Sequence, residues 1–322
     1  MRTFDIVVFL QLKGLGRSTA FRLVEYYRLN NLKFSESSAI EFLHFYNHCK
    51  KQKVARALKD YLLEDFDFAI NKANNLFEQS FKQGIGITSY YDSNYPVKLR
   101  SLIKNGKIDS PIILYYKGEI EKLNHMYSVA IIGTRDILPD GIVSGKRVAK
   151  TFANYNFNVV SGLALGCDTV AHQGALEASN GITTAVLAHG LDRVYPKENK
   201  ELVEQILIRG GVVLSEYPVG TSVRGPQLVE RDRIQAGLSD ATIVIQTGIK
   251  GGTMHAVSTT IENNKLLYAI TYKSEQMNLH EKVMGNQFLI EQRGAKALTS
   301  ENIKSAIDTI VEYVKNKNYG SR

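Results

Sequence analysis

Between residues 127 and 271 the sequence alternates short apolar runs with amphipathic stretches. The runs fall at 129–132, 158–161, 183–188, 211–215, 241–246 and 266–271, and helical spacing fills the intervals at 141–155, 168–179, 198–209, 230–238 and 253–263. Strands that are apolar on both faces must be covered on both faces, and strands separated by helices pair in parallel. The pattern therefore predicts an α/β fold, a parallel sheet sandwiched by helices. In such a sheet ligands bind beyond the carboxyl ends of the strands, so the residues just after each run are where function should lie.

Those residues are small and anion-friendly. Gly133-Thr134-Arg135 follows the first run, Ser161-Gly162-Leu163-Ala164-Leu165-Gly166-Cys167-Asp168 the second, and Gly248-Ile249-Lys250-Gly251-Gly252-Thr253 the run ending at Gln246. Glycine lets backbone approach an anion, a following helix offers free N–H groups, and Arg135 adds a planar cation. One such loop reads as a tight turn; loops of this kind on neighbouring strands point to phosphate binding. None is Gly-x-Gly-x-x-Gly or a P-loop ending in Gly-Lys-Ser/Thr, so hydride transfer and triphosphate hydrolysis lack their usual apparatus. No cofactor, metal site or catalytic residue is expected.

A basic cluster accompanies the loops: Arg193, Lys197 and Lys200 around Tyr195-Pro196, and Arg231 and Arg233 at a helix start with Arg224 just before. Tyr195 and Tyr217 offer aromatic faces to unstacked bases. Cations interleaved with aromatics suit single-stranded nucleic acid better than a small anion, the alternative being a solvated basic rim. The chain's 40 basic and 32 acidic residues give a net charge of +8, which favours a polyanionic partner.

Residues 1–80 form a second region. From residue 4 to 80 there is no proline, glycine occurs only at Gly14 and Gly16, and apolar residues recur at helical spacing. Ala39, Phe42, Leu43 and Tyr46 make one such face, and Val54, Ala57, Leu58, Tyr61 and Leu62 a second. Gly14-Leu15-Gly16 predicts a hairpin between helices, with Ser18 or Thr19 capping a helix to about Arg28. The hairpin is either a phosphate grip assisted by Arg17 and Arg22 or a plain tight turn. Residues 81–322 are expected as one sheet domain entered through a connector at 81–126, which carries a strand candidate at 112–116.

At 322 residues the chain is long enough for two domains, and no apolar run approaches the roughly 18 residues of a membrane span. Residues 1–12 lack a signal-peptide pattern. Cys49 and Cys167 are the only cysteines and support no disulfide framework, so a reducing cytoplasm is expected. Asp168 and His172 beside Cys167 resemble a nucleophile and base, but Asp168 reads better as a helix N-cap with His172 packed or solvated. His44 and His48 read as helix-surface residues.

Several blocks resemble the DNA-processing protein A (DprA/Smf) family. Val129-Ala130-Ile131-Ile132-Gly133-Thr134-Arg135 is similar to its Gly-Ser-Arg loop, and 161–168 with Ala171-His172-Gln173-Gly174-Ala175-Leu176 is similar to its Ser-Gly-x-Ala-x-Gly-Ile-Asp and Ala-His-x-Gly-Ala-Leu. The likeness continues through 190–199, Leu214-Ser215-Glu216-Tyr217-Pro218 and 231–239. It implies an extended Rossmann-like fold behind a small all-helical, SAM-like or helix-hairpin-helix domain, a homodimer, binding of single-stranded DNA and its delivery to the recombinase RecA during natural transformation. By motif match Arg135, Lys197, Lys200, Arg231 and Arg233 would contact phosphates, with Gly133, Thr134, Ser161, Gly162, Gly166, Gly251, Gly252 and Thr253 shaping the loops.

The chain departs from the family where Phe-Pro-x-Arg-Asn-Arg becomes Leu228-Val229-Glu230-Arg231-Asp232-Arg233, and where Gly-Ser-Leu-x-x-Ala becomes Gly251-Gly252-Thr253-Met254-His255-Ala256. No winged-helix module is expected after the terminal helix. Genome defence or processing of mobile DNA is therefore an alternative setting. A nucleotide-sensing Rossmann protein related to the SLOG group is the runner-up function. The LOG-type nucleotide phosphoribohydrolases are a further alternative, but Ala256 stands where they carry a glutamate.

Overall fold

The computed structural model describes residues 1–56 and 58–317. The chain groups into two compact units, residues 1–93 with 111–114, and residues 94–110 with the chain from 115 onward.

The first unit contains α1 (Thr3–Gln11), α2 (Arg17–Leu29), α3 (Ala39–Lys51), α4 (Leu63–Lys82) and β1 (Gly86–Ser89). Its core is aromatic: Phe9, Phe42 and Phe66 are fully buried, with Phe9 meeting Phe42 edge-on at 5.4 Å between ring centroids. Two expectations are corrected. Gly16, with no side-chain bond, caps α2, and Ser18 and Thr19 lie inside the first turn. The helical face expected at Val54–Leu62 does not form. α3 stops at Lys51, Lys53 adopts φ +54°, and Tyr46 and Tyr61 pin the following irregular stretch through their hydroxyls, to the carbonyls of Lys59 and Lys13. Ala57 lies outside the described residues.

The second unit begins with α5 (Val97–Arg100), the short hairpin β2 (Ile103–Lys104) and β3 (Lys107–Ile108), and the end of β4 (Ile113–Lys117). The strands β5 (Ser128–Ile132), β6 (Asn158–Ser161), β7 (Thr183–Leu187), β8 (Val212–Ser215), β9 (Ala241–Val244), β10 (Leu266–Ile270) and β11 (Lys296–Leu298) follow. Between and after them come α6 (Pro139–Asn154), α7 (Cys167–Leu176), α8 (Lys200–Ile208), α9 (Gly225–Leu238), α10 (Thr253–Glu262), α11 (Glu275–Asn278), α12 (Met284–Gln292) and α13 (Ile303–Asn316). The strand order is β4-β8-β7-β6-β5-β9-β10-β11, parallel throughout except for β4 against β8.

The alternation of side chains along the strands sets the layers. Val129 and Ile131 of β5 pack with α6, α7 and α13, whereas Ala130 and Ile132 pack with α10 and α12 on the other face. β5 and β9 are neighbours, paired from Val129↔Ala241 to Ile132↔Val244, yet the helices that follow them lie on opposite faces. The chain therefore parts at their carboxyl ends and leaves a crevice, the topological switch point of an open α/β sheet. Two differences from the sequence pattern matter for the site. α9 begins at Gly225, a turn before residue 230, because Pro226 in its first turn is preset for a helix start. β11 is an additional edge strand whose short Lys-Ala-Leu sequence carries no strand periodicity.

Candidate nucleic-acid interface

The loops after β5, β6 and β9 are locked backbone to backbone. The Thr134 N–H donates to the Gln246 carbonyl at 2.8 Å, and the Cys167 N–H donates to the Thr134 carbonyl at 3.0 Å. A Cβ on Gly133 would lie 2.5 Å from Cys167 Sγ, and one on Gly166, where φ is +78°, 2.4 Å from the Arg135 carbonyl. These glycines are demanded by packing of the loops on each other.

That locking changes the part expected of the second loop. The first N–H of α7 goes to Thr134, and the Thr169 N–H goes to the Ala164 carbonyl. Ser161 is fully buried and its hydroxyl donates to the Ile131 carbonyl at 2.7 Å. Ser161 and Gly166 therefore hold the loop in shape. At the N-terminus of α10, Gly252 caps the helix without a side-chain bond, the Met254 and His255 N–H groups turn back to the Gly251 and Gly252 carbonyls at 3.2 and 3.0 Å, and Gly251, Gly252 and Thr253 line a hollow.

The hollow occupies the β5–β9 crevice and has a volume of about 420 Å³. Gly133, Thr134, Arg135 and Lys250 stand on its walls, and Asp168, Arg231, Asp232 and Gln235 also line it. It adjoins a smaller hollow of about 70 Å³, which shares Arg135 and Arg231 and adds Gly162 and Tyr195. Tyr195 in turn borders a third, of about 370 Å³, with Arg193 and Lys197, and Lys197 borders a fourth, of about 510 Å³, that reaches Lys200. The shared residues make one track from the start of α10 to the start of α8. Arg135, Lys250, Arg193, Lys197 and Lys200 are exposed along it, and the Tyr195 ring is 48% exposed. Tyr217, expected as a second aromatic face, has its hydroxyl bound to Glu230 at 2.8 Å.

Arg231 and Arg233 do not share that exposure. Arg231 is 4% exposed; its Nη1 donates to the Val186 carbonyl at 2.8 Å and its Nε lies 3.2 Å from Asp232. Its guanidinium passes directly against Gly162, where a Cβ would fall 1.6 Å from Nη1. Burial raises the pKa of Asp168, opposed by Arg231 and by the Ala164 N–H. Burial also pushes Asp232 up to about 7, with Asp168 adding to the shift and Arg231, Arg135 and Gln235 opposing it.

Arg233 is held by two carboxylates, 2.6 Å from Glu216 and 3.1 Å from Asp109, and is 6% exposed. The expected phosphate contact is replaced by an internal ion-pair network. Arg233→Ala is expected to cost about 3 kcal/mol of stability, because the two enclosed carboxylates lose their shared cation. Chemical denaturation would read that loss, and DNA affinity per folded molecule should change little.

The family model described as DNA recombination-mediator protein A matches residues 86–310. The chain belongs to that family. It is 35% identical over 195 residues to Protein Smf of Synechocystis sp., a match that covers 60% of this chain and 47% of that protein, so it spans about half the length of that curated relative. The structure of DNA processing protein A from Streptococcus pneumoniae superposes with a TM-score of 0.75 at 27% identity, covering 95% of this chain and 98% of that one. A structure describing the single-stranded DNA binding mode of DNA processing protein A from Helicobacter pylori superposes at 0.59 and 27% identity, over 71% of this chain and 96% of that one.

Within this recombination-mediator fold, the third loop depends on residues that local sequence reading passed over. Asn286 Oδ1 accepts the Thr247 N–H at 3.0 Å, and its Nδ2 donates to the carbonyls of Ile245 and Ile270. A Cβ on the preceding Gly285 would meet the Gly248 carbonyl at 2.3 Å. The adjacent Gly285-Asn286 pair is the one sequence signal, and it lies far along the chain from the loop it supports.

Cys167, Asp168 and His172 are all buried. His172 is fully buried with Nδ1 2.7 Å from Thr183 Oγ1, and burial pushes its pKa down to about 3, leaving it neutral. Burial also raises the Cys167 thiol pKa. Asp168 lies inside α7, which Gly166 caps, and accepts the Ala164 N–H at 3.3 Å. His48 lies 2.8 Å from the Tyr26 hydroxyl. Among the described residues no three His, Cys, Asp or Glu side chains are placed to hold a metal ion, and no helix is long and apolar enough to cross a membrane.

Proposed function

We propose that this protein binds single-stranded DNA along the track between α10 and α8 and, as a homodimer in the cytoplasm, passes the strand to the recombinase RecA. The observation that carries the DNA-binding reading is the track itself. It joins successive hollows edged by five exposed cations and an exposed tyrosine, beginning at the N-terminus of α10, whose cap Gly252 makes no side-chain bond. Cations follow a phosphate backbone, and an aromatic face accepts any unstacked base. The single-stranded DNA binding mode named for the related Helicobacter pylori protein supports the same reading.

Titration of a fluorescent oligonucleotide at several salt concentrations tests it. Five phosphate contacts predict a slope of about −3.5 in log affinity against log salt, or roughly a 100-fold loss between about 50 and 200 mM. Duplex DNA should compete weakly. Affinity that is flat with salt would overturn the proposal.

The enclosed carboxyl of Asp232 adds a pH dependence. Above about 7 it carries a negative charge beside Arg231, Asp168 and Arg135, and below about 7 it is neutral. Phosphate binding is therefore expected to strengthen as pH falls from 8 to 6, and Asp232→Asn to flatten that change. Titrations of both proteins across this range check it.

A further inference from the structure

A hollow of about 540 Å³ shares no lining residue with the track. It lies between α6 and α13, which cover the same face of the sheet, and is closed by the residues that follow β10 and β11. Val143, Arg147 and Thr151 border it at spacings of four along α6, so they share one side of that helix. From Asp140 to Thr151 the wall runs about 16 Å, the length of about five residues of extended chain. The hollow is thus a groove, shaped for a linear ligand.

Its floor is aliphatic. Val148, Ile270, Leu298 and Ile303 line it, and Val143 on its wall is 61% exposed. Its rim is cationic. Arg147 of α6 and Lys304 of α13 are exposed, border the groove from its two helices, and form no ion pair among the described residues. Lys273 adds a third cation, 3.8 Å from Glu301. Asp140 is the carboxylate of the lining, and it stands in the first turn of α6, where the helix N-terminus stabilises it.

We infer that this groove docks an acidic segment of a partner protein, with aliphatic side chains on its floor and carboxylates against Arg147, Lys304 and Lys273. Charge complementarity selects an anionic occupant, and the aliphatic floor selects a peptide over a nucleic-acid strand. A strand needs aromatic faces for its bases, whereas Tyr272, the aromatic residue of the lining, spends its hydroxyl on the Ile245 carbonyl at 3.1 Å and is bonded by Ser144 at 3.3 Å. Because groove and track are lined by different residues, partner and DNA can be held at once.

The test selects peptides of about seven residues from a random displayed library on the full chain, then titrates a fluorescent copy of the most enriched one. Enriched sequences should combine aspartate or glutamate with leucine, isoleucine or valine. Arg147→Glu together with Lys304→Glu should lower peptide affinity about tenfold and Arg147→Gln alone about threefold, with melting temperature and oligonucleotide affinity unchanged. A saturating oligonucleotide should leave the peptide bound. Enrichment of neutral or basic peptides, or of no common sequence, would overturn the proposal, as would an acidic peptide whose affinity survives the double charge reversal. Displacement of the peptide by the oligonucleotide, with DNA affinity lost in the double variant, would assign the groove to DNA and leave the DNA-binding reading standing. A chain that binds the peptide as expected but no oligonucleotide would overturn that reading and leave the docking groove in place.

Discussion

Gly162→Val is expected to lower the melting temperature by about 10 °C and to abolish DNA binding. A Cβ at this position would fall 1.6 Å from Arg231 Nη1 and 2.3 Å from its Cζ. A long side chain ordinarily moves aside, but this residue is 4% exposed, its guanidinium is bonded to the Val186 carbonyl at 2.8 Å and its Nε lies 3.2 Å from Asp232. Displacing it would break a buried ion pair at a cost of about 3–5 kcal/mol. It would also push apart the loops that bring Arg135 and the start of α10 to one hollow. Calorimetry and oligonucleotide titration read the two consequences separately. A variant that melts like wild type and binds DNA normally would contradict the packing described here.

Arg135→Ala is expected to act on binding alone. The side chain is exposed and borders both the large crevice hollow and the smaller one beside it, so it can meet a strand that passes between them. Loss of a charge-assisted contact of about 1.5–3 kcal/mol predicts a 10-fold to 100-fold drop in single-strand affinity. The salt slope should become shallower by about 0.7, and the melting temperature should stay close to that of wild type. Unchanged affinity would remove Arg135 from the interface. Arg233→Ala, in which stability falls and affinity holds, supplies the opposite pattern.

Much of the sheet was legible because its cause is local. The runs at 129–132 and 158–161 appear as strands with those carboxyl ends, and the helix expected at 253–263 forms as Thr253–Glu262. A strand covered on both faces must be apolar, and a covering helix must be apolar on one side, so periodicity records both. The same rule misled at Val54–Leu62, where tyrosine hydroxyls on distant carbonyls hold an irregular stretch. It was silent at β11, an edge strand of three residues.

The candidate site was legible as three glycine loops but not as an arrangement. Sequence spacing treats Arg135, Arg231 and Arg233 alike, as cations that belong in water. Which of them stays there depends on partners from elsewhere in the chain: Asp109 and Glu216 for Arg233, the end of β7 and the space left by Gly162 for Arg231.

The sequence by itself determined the layered α/β sheet and the glycine loops at its strand ends, because periodicity and backbone freedom are properties of neighbouring residues. Only the tertiary structure decided which of those loops touch one another, which cations are enclosed, and that Asp232 and Gln235 line one hollow with Arg135. Burial and pairing are set by residues far apart in the chain, and a carboxylate or guanidinium takes its charge state and its task from them.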